Sequence, residues 1–344
     1  MDEHRLETSK SICLTGYGGF DKIQVQNVML PSALGTNEVK VQNKLFGVNF
    51  ADLYTLKGLF EFPLPHTLGL ESVGRVLEVG SGVKDVKAGD RVVCYKWTGG
   101  LYSEFINIDM KNCFVIPPNI SDEDAAALPA NYLTAYITLF KIAKLQADQS
   151  VLIHSCAGGV GWAATQLVKL FSNVTILGTT SESKFKMVVE NGVNQPLTYE
   201  NYATTISQSE GEVDCIIDSV GGSNFSISQK LLKPLGHAVL TGCSSLITGP
   251  EMFTSSEREA LSSSTVPDMQ GLVMGSRSIS GFHLGLLMDQ NPQLIRNSME
   301  SIFKFLGDGK IKPRIDSIWS FQEVVQAISL LEKRKNIGKV LLKI

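Results

Sequence analysis

Three glycines carry the most chemistry in this chain. Gly158, Gly159 and Gly161 follow at once on the apolar run Val151 to His154 and precede residues at helical spacing, Trp162, Ala163, Leu167, Val168, Leu170 and Phe171. A short buried strand, a glycine turn and a helix let backbone amides approach a pyrophosphate, with the positive helix N-terminus aimed at the same charge. Cys156 stands where the first glycine of a full GxGxxG would fall. A glycine turn alone also fits a purely structural role, so its neighbours must decide. Further strand ends read Gly178-Thr179-Thr180-Ser181, Asp218-Ser219-Val220-Gly221-Gly222 and Thr241-Gly242-Cys243-Ser244, all small and polar. Such ends are where a parallel sheet binds its ligand.

An unphosphorylated dinucleotide is usually held by Asp or Glu at the end of the second strand. Here that place is Gly178 or Thr179, and Ser181 and Lys184 follow, a hydroxyl and a cation suited to a 2'-phosphate. The expected cofactor is therefore NADPH. Glu182 stands as the objection, and is read as a first-turn helix residue facing water, where the helix dipole favours negative charge.

The elements that must position these residues alternate. Val174 to Leu177, Val213 to Asp218 and His237 to Gly242 read as strands, with helices at Lys184 to Asn191 and at Asn224 to Leu232, the latter stopped by Pro234. That cadence predicts a parallel sheet covered on both faces. Residues before it have another texture: Glu38 to Gly47, Val73 to Val79 and Arg91 to Tyr95 read as short strands joined by glycine turns, as in a small barrel. The same texture returns at Ile315 to Trp319 and Val340 to Ile344, separated by a Ser320 to Glu323 capping box whose helix buries Phe321, Val324, Val325, Ile328 and Leu331. A nucleotide domain inserted in a barrel domain is expected, with boundaries at 1–125, 126–280 and 281–344 and the active site in the cleft between them.

Bulk properties narrow the class. A net charge of −3, with 31 basic and 34 acidic residues interspersed, makes no case for nucleic acid. Six cysteines without a CxxC pair suit free thiols in a reducing compartment, and the polar residues 1–10 do not resemble a signal peptide, so a cytoplasmic location is expected.

Further segments resemble a known family. GVNFADLY (47–54), LGLESVGRV (68–76), AGDRV (88–92), AGGVG (157–161) and the closing GKVLL (338–342) are similar, in order and over nearly the whole chain, to the medium-chain dehydrogenase/reductase superfamily and its quinone oxidoreductases. LTGYGGFDKI, NYLTAYITLF, GFHLG and IKPRIDSIW resemble its vesicle amine transport protein branch. The resemblance implies a Rossmann doubly wound parallel sheet inserted into a GroES-like β-barrel, and a homodimer. It places Asn49, Tyr54 and Thr134 around nicotinamide and acceptor, with Phe282, His283 and Leu284 closing the other side. Ala157, Gly158, Gly159, Val160 and Gly161 take the pyrophosphate, and Ser181, Lys184 and Tyr199 the 2'-phosphate. Thr179, Gly221 and Gly242 complete the cofactor set, and Asn49, Tyr54 and His283 are the catalytic candidates. Each has a plainer rival in its residue type: a buried imidazole at His283, a turn cap at Asn49, a packing ring at Tyr54 and a loop aromatic at Tyr199.

The superfamily's zinc enzymes carry a cysteine where this chain has Asn49 and a histidine where it has Leu70. Glu71 alone cannot hold a catalytic zinc, which needs about three protein ligands, so no metal is expected. Two functions remain open: a zinc-independent reductase passing hydride from NADPH to quinones or α,β-unsaturated carbonyls, or an NADPH-binding, membrane-associated or lipid-handling protein with little turnover. The second draws on the branch's association with vesicle and mitochondrial outer membranes and on the stretch from Ser244 to Ser278, where Met252, Phe253, Met269, Leu272, Val273 and Met274 offer contacts to lipid. A helix starting at Thr254-Ser255-Ser256-Glu257 is the plainer reading of that stretch, and Lys333-Arg334-Lys335 reads as a solvated helix end.

Overall fold

The apolar runs after the glycine turn form one sheet. The computed structural model describes residues 6–31, 33–209, 212–247, 249, 251–254, 256 and 269–344. Its six-stranded sheet comprises Ser150–Ile153, Thr175–Thr179, Gln195–Leu197, Val213–Asp218, Leu232–Leu240 and Ser278–Gly281, all parallel. Numbered one to six along the chain, they lie in the order 3-2-1-4-5-6. This is the doubly wound arrangement, whose crevice opens where strands one and four diverge. Alternate side chains serve separate cores: Val151, Ile153, Cys215 and Ile217 pack with Ala163, Ala164 and Leu167, whereas Leu152 and Ile216 pack with Tyr202 and Phe225. Burial on both faces explains why these strands are apolar without interruption.

One expected boundary is corrected. The helix read as Asn224 to Leu232 is Ser223–Ser228 plus a tight turn at Gln229–Leu231, and the next strand starts at Leu232 and runs through Pro234. Pairing jumps there from Val213–Leu232 to Cys215–His237, and Leu235 takes φ 67°. Pro234 thus sits in a bulge, where no ladder N–H is required of it.

The second texture closes into a seven-stranded sheet. Its path is Ile315–Ser320, Lys339–Lys343, Glu38–Val48, Glu71–Val79, Arg91–Tyr95 and Cys113–Val115, with Phe105–Asp109 also paired to Glu38–Val48. A three-stranded sheet, Ile23–Pro31, Leu6–Leu14 and His66–Thr67, lies beside it. The last strand joins Glu38–Val48 antiparallel, so the chain's end returns to its beginning. The capping box forms as expected, with the Ser320 N–H donating to Glu323 Oε2 at 2.9 Å. The helix after it, Val324–Glu332, buries Val324, Ala327, Ile328 and Leu331, with Val325 only partly covered.

A helical run links the two sheets. Ser121 caps Asp122–Ala126, accepting from the Asp124 N–H at 3.0 Å. The run then widens into π turns at Leu128–Leu133 and Ile137–Ile142 around the single α turn Thr134–Tyr136. Wide turns of this kind present amides and side chains that a regular helix would hide.

In the stretch from 244 to 278, Phe253 is 5% exposed, and its N–H donates to the Lys57 carbonyl at 3.0 Å. Phe253 is therefore barrel core, not a lipid contact. Met269, Val273 and Met274, on the helix Met269–Gly275, are exposed. The helix start expected at 254–257 lies in part outside the described residues. Among the described residues, no helix is long and apolar enough to cross a membrane.

Candidate active-site groove

Each glycine of the turn has its own reason. A Cβ at Gly161 would lie 2.3 Å from the Ser155 carbonyl oxygen, so this glycine lets the helix Gly159–Val168 start tight against the strand before it. A Cβ at Gly159 would lie 2.4 Å from Asn131 Nδ2, across the groove wall. Cys156 fits in the place of a glycine because its partner strand supplies the room: a Cβ at Gly178 would lie 2.7 Å from Cys156 Sγ. The turn is tied to the closing strand by the Gly338 N–H, which donates to the Ala157 carbonyl at 2.9 Å.

The turn opens on a cavity of about 1010 Å³ between the two sheets, lined by Ala157, Gly158, Gly159, Val160 and Gly161. That volume is at the upper end of small-molecule sites, roughly 300–1,000 Å³, as an extended dinucleotide with an acceptor requires. Of the residues expected around it, Asn49, Tyr54, Thr134, Ser181, Lys184, Tyr199, Gly242, Phe282, His283 and Leu284 all line it. Two expected residues lie behind the wall. Thr179 is fully buried, its hydroxyl bonded to His154 Nδ1 at 2.9 Å, and Thr180 faces the cavity instead. Gly221 turns at φ 69° with its N–H on Asp218 Oδ1, leaving Ser219 and Val220 at the surface of the groove.

The outer end is cationic. Lys184 Nζ donates to the carbonyls of Arg334 and Asn336 at 2.7 and 2.8 Å, and partial burial lowers its pKa. Lys333 and Arg334 line the same wall, as does Glu182. The cluster is solvated at the helix end, as expected, with all three side chains exposed, and two of its members, Lys333 and Arg334, also border the groove. Arg334 takes φ 53° and its guanidinium donates to the Ser244 carbonyl at 2.9 Å. The signal that could have found it is its position two residues before Asn336, where the closing segment starts. The Tyr199 ring lies nearly parallel to that of His154, with centroids 6.4 Å apart.

The inner end is a buried ionic network that sequence reasoning missed. Glu71 is fully buried, accepting from Asn49 Nδ2 at 2.9 Å, from the Ala130 N–H at 2.9 Å and from the Lys339 ammonium. The Ala130 amide is supplied by the π turn. Lys339 Nζ also donates to Asn49 Oδ1 at 2.7 Å. Asn49 stands at the start of the helix Phe50–Leu56, yet its amide bridges these two charges, while its own N–H is taken by Asp52 Oδ2 at 2.8 Å. Asp52 also accepts from the Tyr102 hydroxyl at 2.9 Å, and burial pushes its pKa up to about 6.

Tyr54 and His283 are both engaged. The Cys243 N–H donates to the Tyr54 hydroxyl at 3.2 Å, and burial holds its pKa well above the ordinary phenol value, so it stays protonated. His283 Nδ1 accepts from the Leu286 N–H at 3.1 Å and caps the helix Leu284–Gln290. This leaves only Nε2 of that imidazole for other partners.

A 3-2-1-4-5-6 parallel sheet whose glycine turn faces a barrel across one groove is the architecture of a dinucleotide-dependent oxidoreductase. Comparison with known proteins agrees. The family description "Alcohol dehydrogenase GroES-like domain" matches residues 35–118, and "Zinc-binding dehydrogenase" matches residues 191–342. Synaptic vesicle membrane protein VAT-1 homologs from Rattus norvegicus and Homo sapiens are both 40% identical over 340 residues, covering 97% of this chain and 83% and 86% of theirs. The crystal structure of the human VAT-1 homolog-like protein superposes with a TM-score of 0.85 at 30% identity, covering 99% of both chains. Escherichia coli quinone oxidoreductase, solved in complex with NADPH, gives 0.84 at 28% identity over 98% of this chain and all of its own. The chain belongs to the medium-chain dehydrogenase/reductase superfamily of oxidoreductases, in the branch of the VAT-1 homologues.

Proposed function

We propose that the protein is a zinc-independent, NADPH-dependent reductase of quinones and α,β-unsaturated carbonyls. The observation that carries this reading is the state of Glu71, the carboxylate beside Asn49. Both its oxygens are already taken, by an ammonium, a side-chain amide and a backbone N–H. A dication there would meet Lys339 at the same carboxylate and find asparagine and leucine in place of cysteine and histidine, so these residues do not fit a catalytic zinc despite the matching family's description.

The groove does fit a dinucleotide: the glycine turn and the helix behind it suit the pyrophosphate, and Ser181, Lys184, Tyr199 and Arg334 suit the 2'-phosphate. Relatedness to the E. coli enzyme supports the choice of NADPH. When bound, the reduced nicotinamide supplies the hydride. The chain's own residues orient and enclose. Asn49, immobilised between Lys339 and Glu71, would border the nicotinamide and acceptor together with Thr134, which lines the same cavity. Phe282, His283 and Leu284 exclude water from the other side. Tyr54, a neutral phenol, offers polarity to an acceptor oxygen without charge, and His283 can contribute only through Nε2.

We further read residues 1–125 and 281–344 as the catalytic domain, 126–280 as the nucleotide domain, and the protein as a homodimer in the cytoplasm. Ser278–Gly281 is the outermost strand of its sheet and is suited to a twofold partner. The test is NADPH oxidation with a panel of quinones and enones after exhaustive chelation. Turnover above about 1 per second supports the reading, and cofactor binding without turnover on any acceptor would overturn it.

One observation favours the second reading, a membrane-associated or lipid-handling role: exposed Met269, Val273 and Met274, together with relatives named as vesicle membrane proteins. Deleting the segment is no test, because Phe253 is core. Val273→Ser with Met274→Ser should abolish pelleting with liposomes if this reading holds.

A further inference from the structure

From the groove lining, aromatic rings continue as an unbroken series of pairwise contacts. Tyr54 meets Phe60 edge-on with centroids 5.9 Å apart, Phe60 meets His283 at 6.1 Å, and His283 meets Trp97 at 5.4 Å. Trp97 then meets Phe62 at 6.2 Å, and Phe62 stacks on His66 at 4.5 Å. Phe60 and His283 line the cavity, whereas Trp97, Phe62 and His66 do not, and Leu64, between Phe62 and His66 in the chain, is exposed. The series therefore begins at rings that line the groove and ends at half-buried rings outside its lining.

It is also rigid, which an incidental cluster need not be. The Tyr17 hydroxyl donates to the Phe62 carbonyl at 2.7 Å and accepts from the Phe62 N–H at 2.6 Å, clamping the lip formed by residues 59–66. The Trp97 indole N–H donates to Asp289 Oδ2 at 2.9 Å. A Cβ at Gly285 would lie 2.2 Å from Trp97, so glycine there is what lets the indole lie against the helix. Partial burial lowers the pKa of both His66 and His283, with Lys96 adding to the effect at His66, so both rings favour the neutral form.

We propose that the acceptor selected by this groove carries a long apolar substituent, and that the substituent lies along the strip from Phe60 and His283 over Trp97 to Phe62. The inference rests on the reductase reading and names the substrate class within it: quinones or enones whose reacting ring sits at Asn49 and Tyr54 and whose hydrocarbon tail leaves through the lip. The rings give such a tail a preorganised apolar surface continuous with the site. A small tail-less quinone would fill the inner end and leave the strip in water.

The experiment compares 2,3-dimethoxy-5-methyl-1,4-benzoquinone with its 6-decyl derivative at saturating NADPH. The decyl chain should lower KM about tenfold, less than complete burial of ten methylenes would give, and leave kcat within about twofold. Phe62→Asp and, separately, Trp97→Ala should abolish most of that gain while leaving kcat/KM for the tail-less quinone within about twofold. Equal KM for the two quinones, or a gain untouched in Phe62→Asp, would overturn the proposal with the reductase reading intact. If neither quinone is turned over, the reductase reading fails. Calorimetric binding of the same two quinones to the cofactor-free protein then still decides on the strip: tighter decyl binding lost in Phe62→Asp upholds it, and equal affinities sink it.

Discussion

The two ends of the groove hold charge in opposite ways. At the inner end Glu71, Lys339 and Asp52 are nearly or wholly out of water and partnered within the protein. At the outer end Lys184 and Arg334 are partly exposed and rest on backbone carbonyls, which carry only partial charge. Buried ions are tolerable only when fully paired, so the inner network is architecture and its disruption should register first in stability. Partly solvated cations on weak partners can exchange those partners for a phosphate, so the outer end should register in affinity.

The largest effect expected from this contrast is at Lys339. Lys339→Met leaves the buried Glu71 without its counter-charge and should cost about 3–5 kcal/mol in urea unfolding. The double variant with Glu71→Gln should recover most of that loss, because it removes the stranded charge. If the double variant is no more stable than the single, the pair is not the ionic unit described here.

Next comes Asp52. Burial raises its carboxyl pKa in the folded protein to about 6, from the ordinary aspartate value of 3.8. The folded protein therefore holds a proton between those values that the unfolded chain releases, so this group's contribution to stability is greatest below about pH 4 and is lost as pH rises through about 6. Asp52→Asn should remove that dependence, changing the stability difference between pH 4 and pH 7 by on the order of 2 kcal/mol relative to the parent. Parallel pH profiles for the two proteins would show that Asp52 ionises normally.

At the outer end the effects are smaller and concern binding. Lys184→Ala should weaken NADPH by about tenfold or more and NADH little, since a hydrogen bond to a charged group contributes roughly 1.5–3 kcal/mol. The loss should shrink as salt is raised, because the charges are partly solvated. Equal losses for both cofactors would remove Lys184 from the phosphate site.

The contrast also explains what the sequence could reveal. The glycine turn, the apolar strands and the capping box at Ser320 are local signals, each carried by a few adjacent residues, and they led directly to the doubly wound sheet and to the closing strand. The Pro234 bulge was missed because a proline before an apolar run looks like a helix stop until the register of the neighbouring strand is known. The inner network joins Asn49, Glu71 and Lys339, residues far apart in the chain that meet only once the last strand pairs beside Glu38–Val48, so no spacing announces it. Thr179 and Gly221 were placed one residue off the groove wall, since strand ends can be located from sequence but the face each residue presents cannot. Arg334 is exposed, as a basic run after a helix usually is, but its guanidinium also reaches the Ser244 carbonyl at the groove's rim, a contact between residues 90 apart in the chain that no local pattern announces.

The smallest effect separates a polar partner from a charged one at the same phosphate. Ser181 is exposed and its hydroxyl lies 3.3 Å from that of Ser183, a weak contact that it can give up to a ligand. Ser181→Ala should weaken NADPH by about threefold, the size of a neutral hydrogen bond, and leave NADH unchanged. Unlike the loss at Lys184, it should be nearly insensitive to ionic strength, because no formal charge is removed from the protein. A Ser181→Ala penalty that declines with salt as steeply as that of Lys184→Ala would mean that the hydroxyl acts by positioning the lysine. The outer end would then be a single coupled unit, as the inner one is.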